Sequence, residues 1–175
     1  DPQRIELDRQ KQQYDILTSL RKKGQGNQPV TIAVQGFGNV GSVIACEANT
    51  CKDLNNRVVA VSDHNVTIYN ENGLDVERLE TYAMQNGQLP STEDQLKLSG
   101  VEAELLSRES VLTLDVDVLF LAAIENQITE QNMKDVKAKL IVEGANAPVS
   151  NQADQYLQEN GILIIPDILS NAGGV

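Results

Sequence analysis

The chain has 175 residues, 41% hydrophobic and 22% charged, with a formal net charge of −11 at pH 7. That is the size and composition of one globular domain, and no run approaches the ~18 apolar residues of a membrane span. The acidity is uneven: residues 1–28 carry six bases and four acids, residues 29–175 eight bases and 21 acids. A broad nucleic-acid-binding face is therefore excluded, and any phosphate has to be held locally.

In chain order, the first expected element is a helix from Arg4 to about Lys23, with Ile5, Tyr14, Ile16, Leu17 and Leu20 among many Gln, Lys and Arg. Arg21, Lys22 and Lys23 place cations at its negative end, and Gly24-Gln25-Gly26-Asn27 breaks it. Residues 1–28 read as a helical lead-in and linker, and residues 29–175 as the domain proper.

From there short strands and helices alternate. A strand over Val30–Val34 precedes a helix from about Asn39 to Cys51, and a second strand covers Arg57–Ser62. A helix follows over Asp75–Asn86, then a strand over Val116–Leu121 and a short helix from Thr129 to about Val136. A strand over Ala138–Val142, a helix over Asn151–Asn160 and a strand over Ile162–Ile165 complete the pattern. Runs such as Val118-Leu119-Phe120-Leu121 lack polar alternation, as strands covered on both faces require. The expected fold is α/β and Rossmann-like, a mainly parallel sheet with helices on both faces.

The turn after the first strand is Gly36-Phe37-Gly38-Asn39-Val40-Gly41, a GxGxxG motif between strand and helix. Alone that motif is weak, because tight turns use glycine for structural reasons. Here a second strand ends in Asp63, 22 residues beyond Gly41, where an acid can accept hydrogen bonds from an adenosine ribose. The combination predicts a dinucleotide site. Gly36 permits the turn, Gly38 admits the pyrophosphate to the backbone, and Gly41 lets helix and strand pack closely. Backbone amides and the helix dipole bind the phosphates without Lys or Arg, which suits so acidic a chain. No Gly-Lys-Ser/Thr follows, which excludes a P-loop.

Other chemistries find little support. Cys46 and Cys51 match neither a metal site nor a disulfide framework, and suit a reducing, cytoplasmic setting. His64 is the only histidine and falls beside the ribose acid, so a nucleophilic triad is not expected. No metal site is expected within this chain.

Five ordered blocks carry a closer resemblance: VQGFGNVG, VSDHNVTIYNENGLD, DVDVLFLAAIENQIT, KLIVEGANAPVS and GILIIPDILSNAGGV. Together, over about Val30 to Val175, they resemble the cofactor domain of the glutamate/leucine/phenylalanine/valine dehydrogenase family. The resemblance implies part of an NAD(P)-dependent enzyme that converts an L-amino acid, with glutamate expected, to its 2-oxo acid and ammonia. In that family the catalytic Lys and Asp belong to a preceding domain, so this chain alone would bind cofactor without catalysing. A whole protein of this family would be a homo-oligomer built largely through the other domain, and this piece a monomer or weak dimer.

The resemblance also assigns residues. Phe37, Asn39 and Val40 join the glycines in the pyrophosphate turn, and Asp63 and His64 lie beside the adenosine ribose. Ala122, Ala123 and Ile124, with Asn126 just beyond, fall under the cofactor. Asn146 and Asn171 lie near the nicotinamide ribose and carboxamide, and Glu125 and Glu143 read as structural. Leu121 stands where the family commonly has proline, and no threonine-glycine motif appears in the first helix. Between Ser62 and Asn72 no Lys or Arg is available for a 2′-phosphate, so NAD is expected ahead of NADP. A non-catalytic nucleotide-binding or regulatory module is the alternative.

Overall fold

The computed structural model describes residues 1–38, 45, 55–122, 127–144 and 148–166. Helix α1 spans Pro2–Gly24. Asp1 caps it by accepting from the Gln3 amide at 3.0 Å, Pro2 presets the first turn, and three cations close the last. Its core contacts include buried Leu20 and half-buried Ile16, whereas Ile5, Leu7, Tyr14 and Leu17 stay exposed.

Seven strands follow: β1 (Val30–Gln35), β2 (Asn56–Ser62), β3 (Thr67–Tyr69), β4 (Glu104–Leu106), β5 (Val118–Leu121), β6 (Leu140–Glu143) and β7 (Leu163–Pro166). Between them lie α2 (Val76–Asn86), α3 (Glu93–Ser99), a 3-10 turn η1 (Arg108–Thr113), a second one η2 (Met133–Asp135), and α4 (Asn151–Glu159). Side chains cap the helix starts. Asp75 accepts from Arg78, Thr92 from Gln95 and Ser150 from Ala153.

The strands form one sheet in the order β4-β3-β2-β1-β5-β6-β7. The pairs β2/β1, β1/β5, β5/β6 and β6/β7 are parallel, while β3 and β4 add an antiparallel edge. The chain winds to one side from β1 to β2 and to the other from β5 onward, so the direction switches between β1 and β5.

Both faces carry core. Ile32, Val34, Val58, Val61, Val118, Leu140 and Val142 pack on one side with Leu20 of α1 and Leu79 of α2. Ala33, Val59, Ala60, Leu119, Leu121 and Ile141 pack on the other with Val111, Ala153 and Leu157. Val58 and Val61, an odd number of residues apart, share a face because the β1/β2 register slips between Ile32 and Ala33, leaving Val59 as the extra residue.

The mainly parallel, two-faced sheet agrees with the sequence reading. The differences are local. β3 and β4 are three residues each, too short for periodicity, and exist because β2 offers an edge. The expected helix at Thr129–Val136 contracts to the three residues of η2. Ala45 is helical and buried, within the helix expected over Asn39–Cys51; that helix otherwise lies outside the described residues. Among the described residues no helix is long and apolar enough to cross a membrane.

Candidate functional site

Register places the carboxyl ends of the parallel strands side by side. Gln35 of β1 pairs with Ser62 of β2 and with Leu121 of β5, Leu121 with Glu143 of β6, and Glu143 with Pro166 of β7. Gly36, Asp63, Ala122 and Gly144 therefore leave the sheet along one edge, on both sides of the switch point. Ligands of open parallel sheets bind at such an edge.

At its centre, the amides of Gly36 and Phe37 both donate to the Ser62 carbonyl, at 2.9 and 2.7 Å. Gly36 has φ +91°, backbone that side-chain-bearing residues rarely adopt. Phe37 turns its ring into the core. Gly38 is exposed, and among the described residues a Cβ built on it would meet nothing within 4 Å. Neither a left-handed φ nor a close neighbour among the described residues explains glycine there.

Asp63 is half-buried, and both its carboxylate oxygens accept from backbone. One oxygen accepts from the Asn65 and Val66 amides at 2.8 and 3.1 Å, the other from the Leu89 amide at 2.9 Å. It thereby ties the β2–β3 turn to the segment after α2. His64 is exposed beside it, and its carbonyl accepts from Arg108 Nη1 at 3.5 Å.

On the other side of β1, the Ala122 amide donates to the Gln35 carbonyl at 2.9 Å, and the Gly144 amide to that of Leu121 at 2.8 Å. Burial, and then the charge of Asp154, hold the Glu143 carboxyl above its ordinary range. Asn39, Val40, Gly41, Ala123, Ile124, Asn126, Asn146 and Asn171 lie outside the described residues. Glu125 does too.

Three residues at this edge escaped the sequence reading. Gln35 is buried with its Oε1 unpartnered among the described residues, while its Nε2 donates to Gln127 Oε1 at 2.6 Å. An amide closing the apolar run VTIAV was the signal for it. Gln127 is held in turn by its own amide on the Pro148 carbonyl and its carbonyl on Asn132. Arg108 reaches the β2–β3 turn from 44 residues away, and nothing local announces it.

A family model described as Glutamate/Leucine/Phenylalanine/Valine dehydrogenase matches residues 14–175. Glutamate dehydrogenase of Thermotoga maritima is 45% identical over 145 residues, covering 83% of this chain and 32% of the relative. The NADP-specific glutamate dehydrogenase A1 of Halobacterium salinarum is 44% identical over 147 residues, covering 83% and 32%. Relatives named NAD-specific occur beside those named NADP-specific. Among solved structures, the hetero-hexameric glutamate dehydrogenase of Thermus thermophilus superposes with a TM-score of 0.71 at 33% identity, over 91% of this chain and 35% of that one. The chain spans about a third of the length of the curated relatives it matches. From its blocks, its sheet and these matches, the chain belongs to the glutamate/leucine/phenylalanine/valine dehydrogenase family.

Proposed function

We propose that this chain is the dinucleotide-binding part of an amino-acid dehydrogenase acting on L-glutamate, with the cofactor lying across the carboxyl edge of the sheet. The observation that carries the reading is Gly38, which stands on this edge with no left-handed φ and, among the described residues, with nothing within 4 Å of a Cβ built on it. Gly36 and Phe37 anchor the turn, and Gly38 presents bare backbone to the pyrophosphate, joined by Asn39, Val40 and Gly41. Asp63 shapes the turn on the adenosine side, and its Oδ2, beyond the bond from the Leu89 amide, keeps a lone pair for a ribose hydroxyl. Ala122 begins the segment on which the nicotinamide half would rest, with Ala123, Ile124 and Asn126. Asn146 and Asn171 supply amides that both donate and accept.

When bound, the nicotinamide accepts or supplies the hydride. The residues of this chain hold and orient it, and the groups that move protons on the substrate belong to other parts of the protein. Residues 1–28 act as a lead-in to the cofactor domain, and the protein works in the cytoplasm as a homo-oligomer whose contacts lie mostly elsewhere.

Calorimetric titration of the chain with NADH and NADPH tests the binding half of this reading, and affinity for neither overturns it. Assay of the full-length protein with glutamate, leucine, phenylalanine and valine tests the rest. Turnover of glutamate above the others is the expected result.

A further inference from the structure

The preference for a 2′-hydroxyl or a 2′-phosphate on the adenosine ribose is set by the charges around the turn after β2. In sequence, Asp63 stands there alone, with no Lys or Arg from Ser62 to Asn72. The fold changes both halves of that picture.

Asp63 directs its carboxylate inward, one oxygen onto the Asn65 and Val66 amides and the other onto Leu89. Three backbone donors offset its charge, and it is only half-exposed. Meanwhile Arg108 arrives from η1. Its carbonyl accepts from Thr67 Oγ1 at 3.0 Å, which fixes the start of η1 against β3. Its Nη1 then reaches the His64 carbonyl, on the residue next to Asp63. Among the described residues the guanidinium has one charged partner, Glu109, with Nε 2.7 Å from Oε1, and the two side chains are 59% and 65% exposed. A solvated pair between chain neighbours is weak and readily exchanged. A phosphate offers the same guanidinium a bidentate, doubly charged acceptor.

We infer that the adenosine end of this site takes a 2′-phosphorylated ribose, with Arg108 as the pairing cation, so that the chain binds NADP at least as tightly as NAD. This rests on the dinucleotide reading above, and reverses the preference expected from the residues around Asp63 alone. Asp63 becomes a positioning residue for the turn, and Arg108 the residue that decides specificity.

The test is calorimetric titration of the full chain with NADPH, NADH, 2′,5′-ADP and 5′-AMP, the last two reporting on the adenosine end alone. NADPH should bind no more weakly than NADH, and 2′,5′-ADP more tightly than 5′-AMP. Arg108→Gln should weaken NADPH about tenfold, the worth of a charge-assisted contact, and leave NADH within about twofold. Glu109→Gln, which frees the guanidinium, should move NADPH the other way. NADPH weaker than NADH in the wild-type chain, or a ratio unchanged by Arg108→Gln, overturns the inference and leaves the dinucleotide site standing. Binding of none of the four overturns both. The exposed position of Arg108 keeps the variant folded, and its NADH affinity serves as the control.

Discussion

The amide of Phe37 donates to the carbonyl of Ser62 at 2.7 Å, so the chain leaving β1 is fastened to the end of β2 before the glycine turn opens. The Gly36 amide shares that acceptor. The first two residues of GxGxxG are thus scaffold, with their amides used inside the sheet, and the part left to meet a ligand starts at Gly38.

Phe37 should therefore matter for stability first. Its ring is 8% exposed in the core, and Phe37→Ala should cost about 3 kcal/mol in urea unfolding. Phe37→Leu should cost less. Gly36→Ala, forced to hold φ +91°, should cost about 1–2 kcal/mol by the same measurement. A loss under about 1 kcal/mol for Phe37→Ala would contradict the anchoring role.

Gly38 should show the opposite behaviour. With nothing among the described residues within 4 Å of a Cβ there, Gly38→Val should leave unfolding free energy within about 0.5 kcal/mol of wild type. Dinucleotide affinity should fall more than about tenfold, because the side chain would fill the space the pyrophosphate needs. Unchanged affinity in a folded Gly38→Val chain would remove the main support for the site.

The contrast between these two positions shows what was legible in the sequence. The strand ends could be read because apolar runs stop where polar or glycine residues begin, as at Gln35-Gly36 and Ser62-Asp63, and parallel pairing then puts those ends on one edge. The use of each amide could not be read. Whether Phe37 N–H faces a ligand or Ser62 depends on how far β2 extends, a long-range fact. Arg108 is the same case: its nearness to His64 comes from β4 pairing with β3, which sets Leu106 opposite Thr67, and both are three-residue strands without a period of their own. Asp63 was legible as the residue that follows β2, but its contact with Leu89 closes over 26 residues of intervening chain.

Glu143 is an acid whose folded-state pKa stands above its unfolded one, through burial and then the charge of Asp154. Protonation therefore favours the fold. The stabilisation is full below the ordinary Glu range, near pH ~4.3, and is lost as pH rises through the raised value. Glu143→Gln should be the more stable protein at pH 7, by about 0.5 kcal/mol, with the difference closing near pH ~4. Thermal melts of both proteins across pH 3.5 to 8 check the sign, and a less stable variant at neutral pH would refute it.

Asp117 carries the reverse dependence at the opposite edge of the sheet. Its side chain is 4% exposed and joins three elements. Oδ2 accepts from Lys23 Nζ of α1 at 2.6 Å and from the Thr31 amide of β1 at 3.0 Å, while Oδ1 meets Lys139 Nζ, beside β6, at 3.2 Å. Burial alone would raise its pKa. The Lys23 hydrogen bond, the Thr31 amide and the Lys139 bond outweigh that, and the net position is below the ordinary range. With the folded pKa depressed, the contribution is fully present above the unfolded value, near pH ~3.9, and is lost as pH falls through the lower folded value. Asp117→Asn should cost about 2 kcal/mol at pH 7, less than a fully buried broken pair because both lysines still reach water. The gap should shrink as pH drops below ~3.9 and the wild-type carboxyl takes up its proton. Since Lys23 is the end of α1, the variant should also loosen that helix, read as faster amide exchange from Leu20 to Gly24 than in wild type. A pH-independent gap between the two proteins would mean that Asp117 acts through its shape and hydrogen bonds rather than its charge.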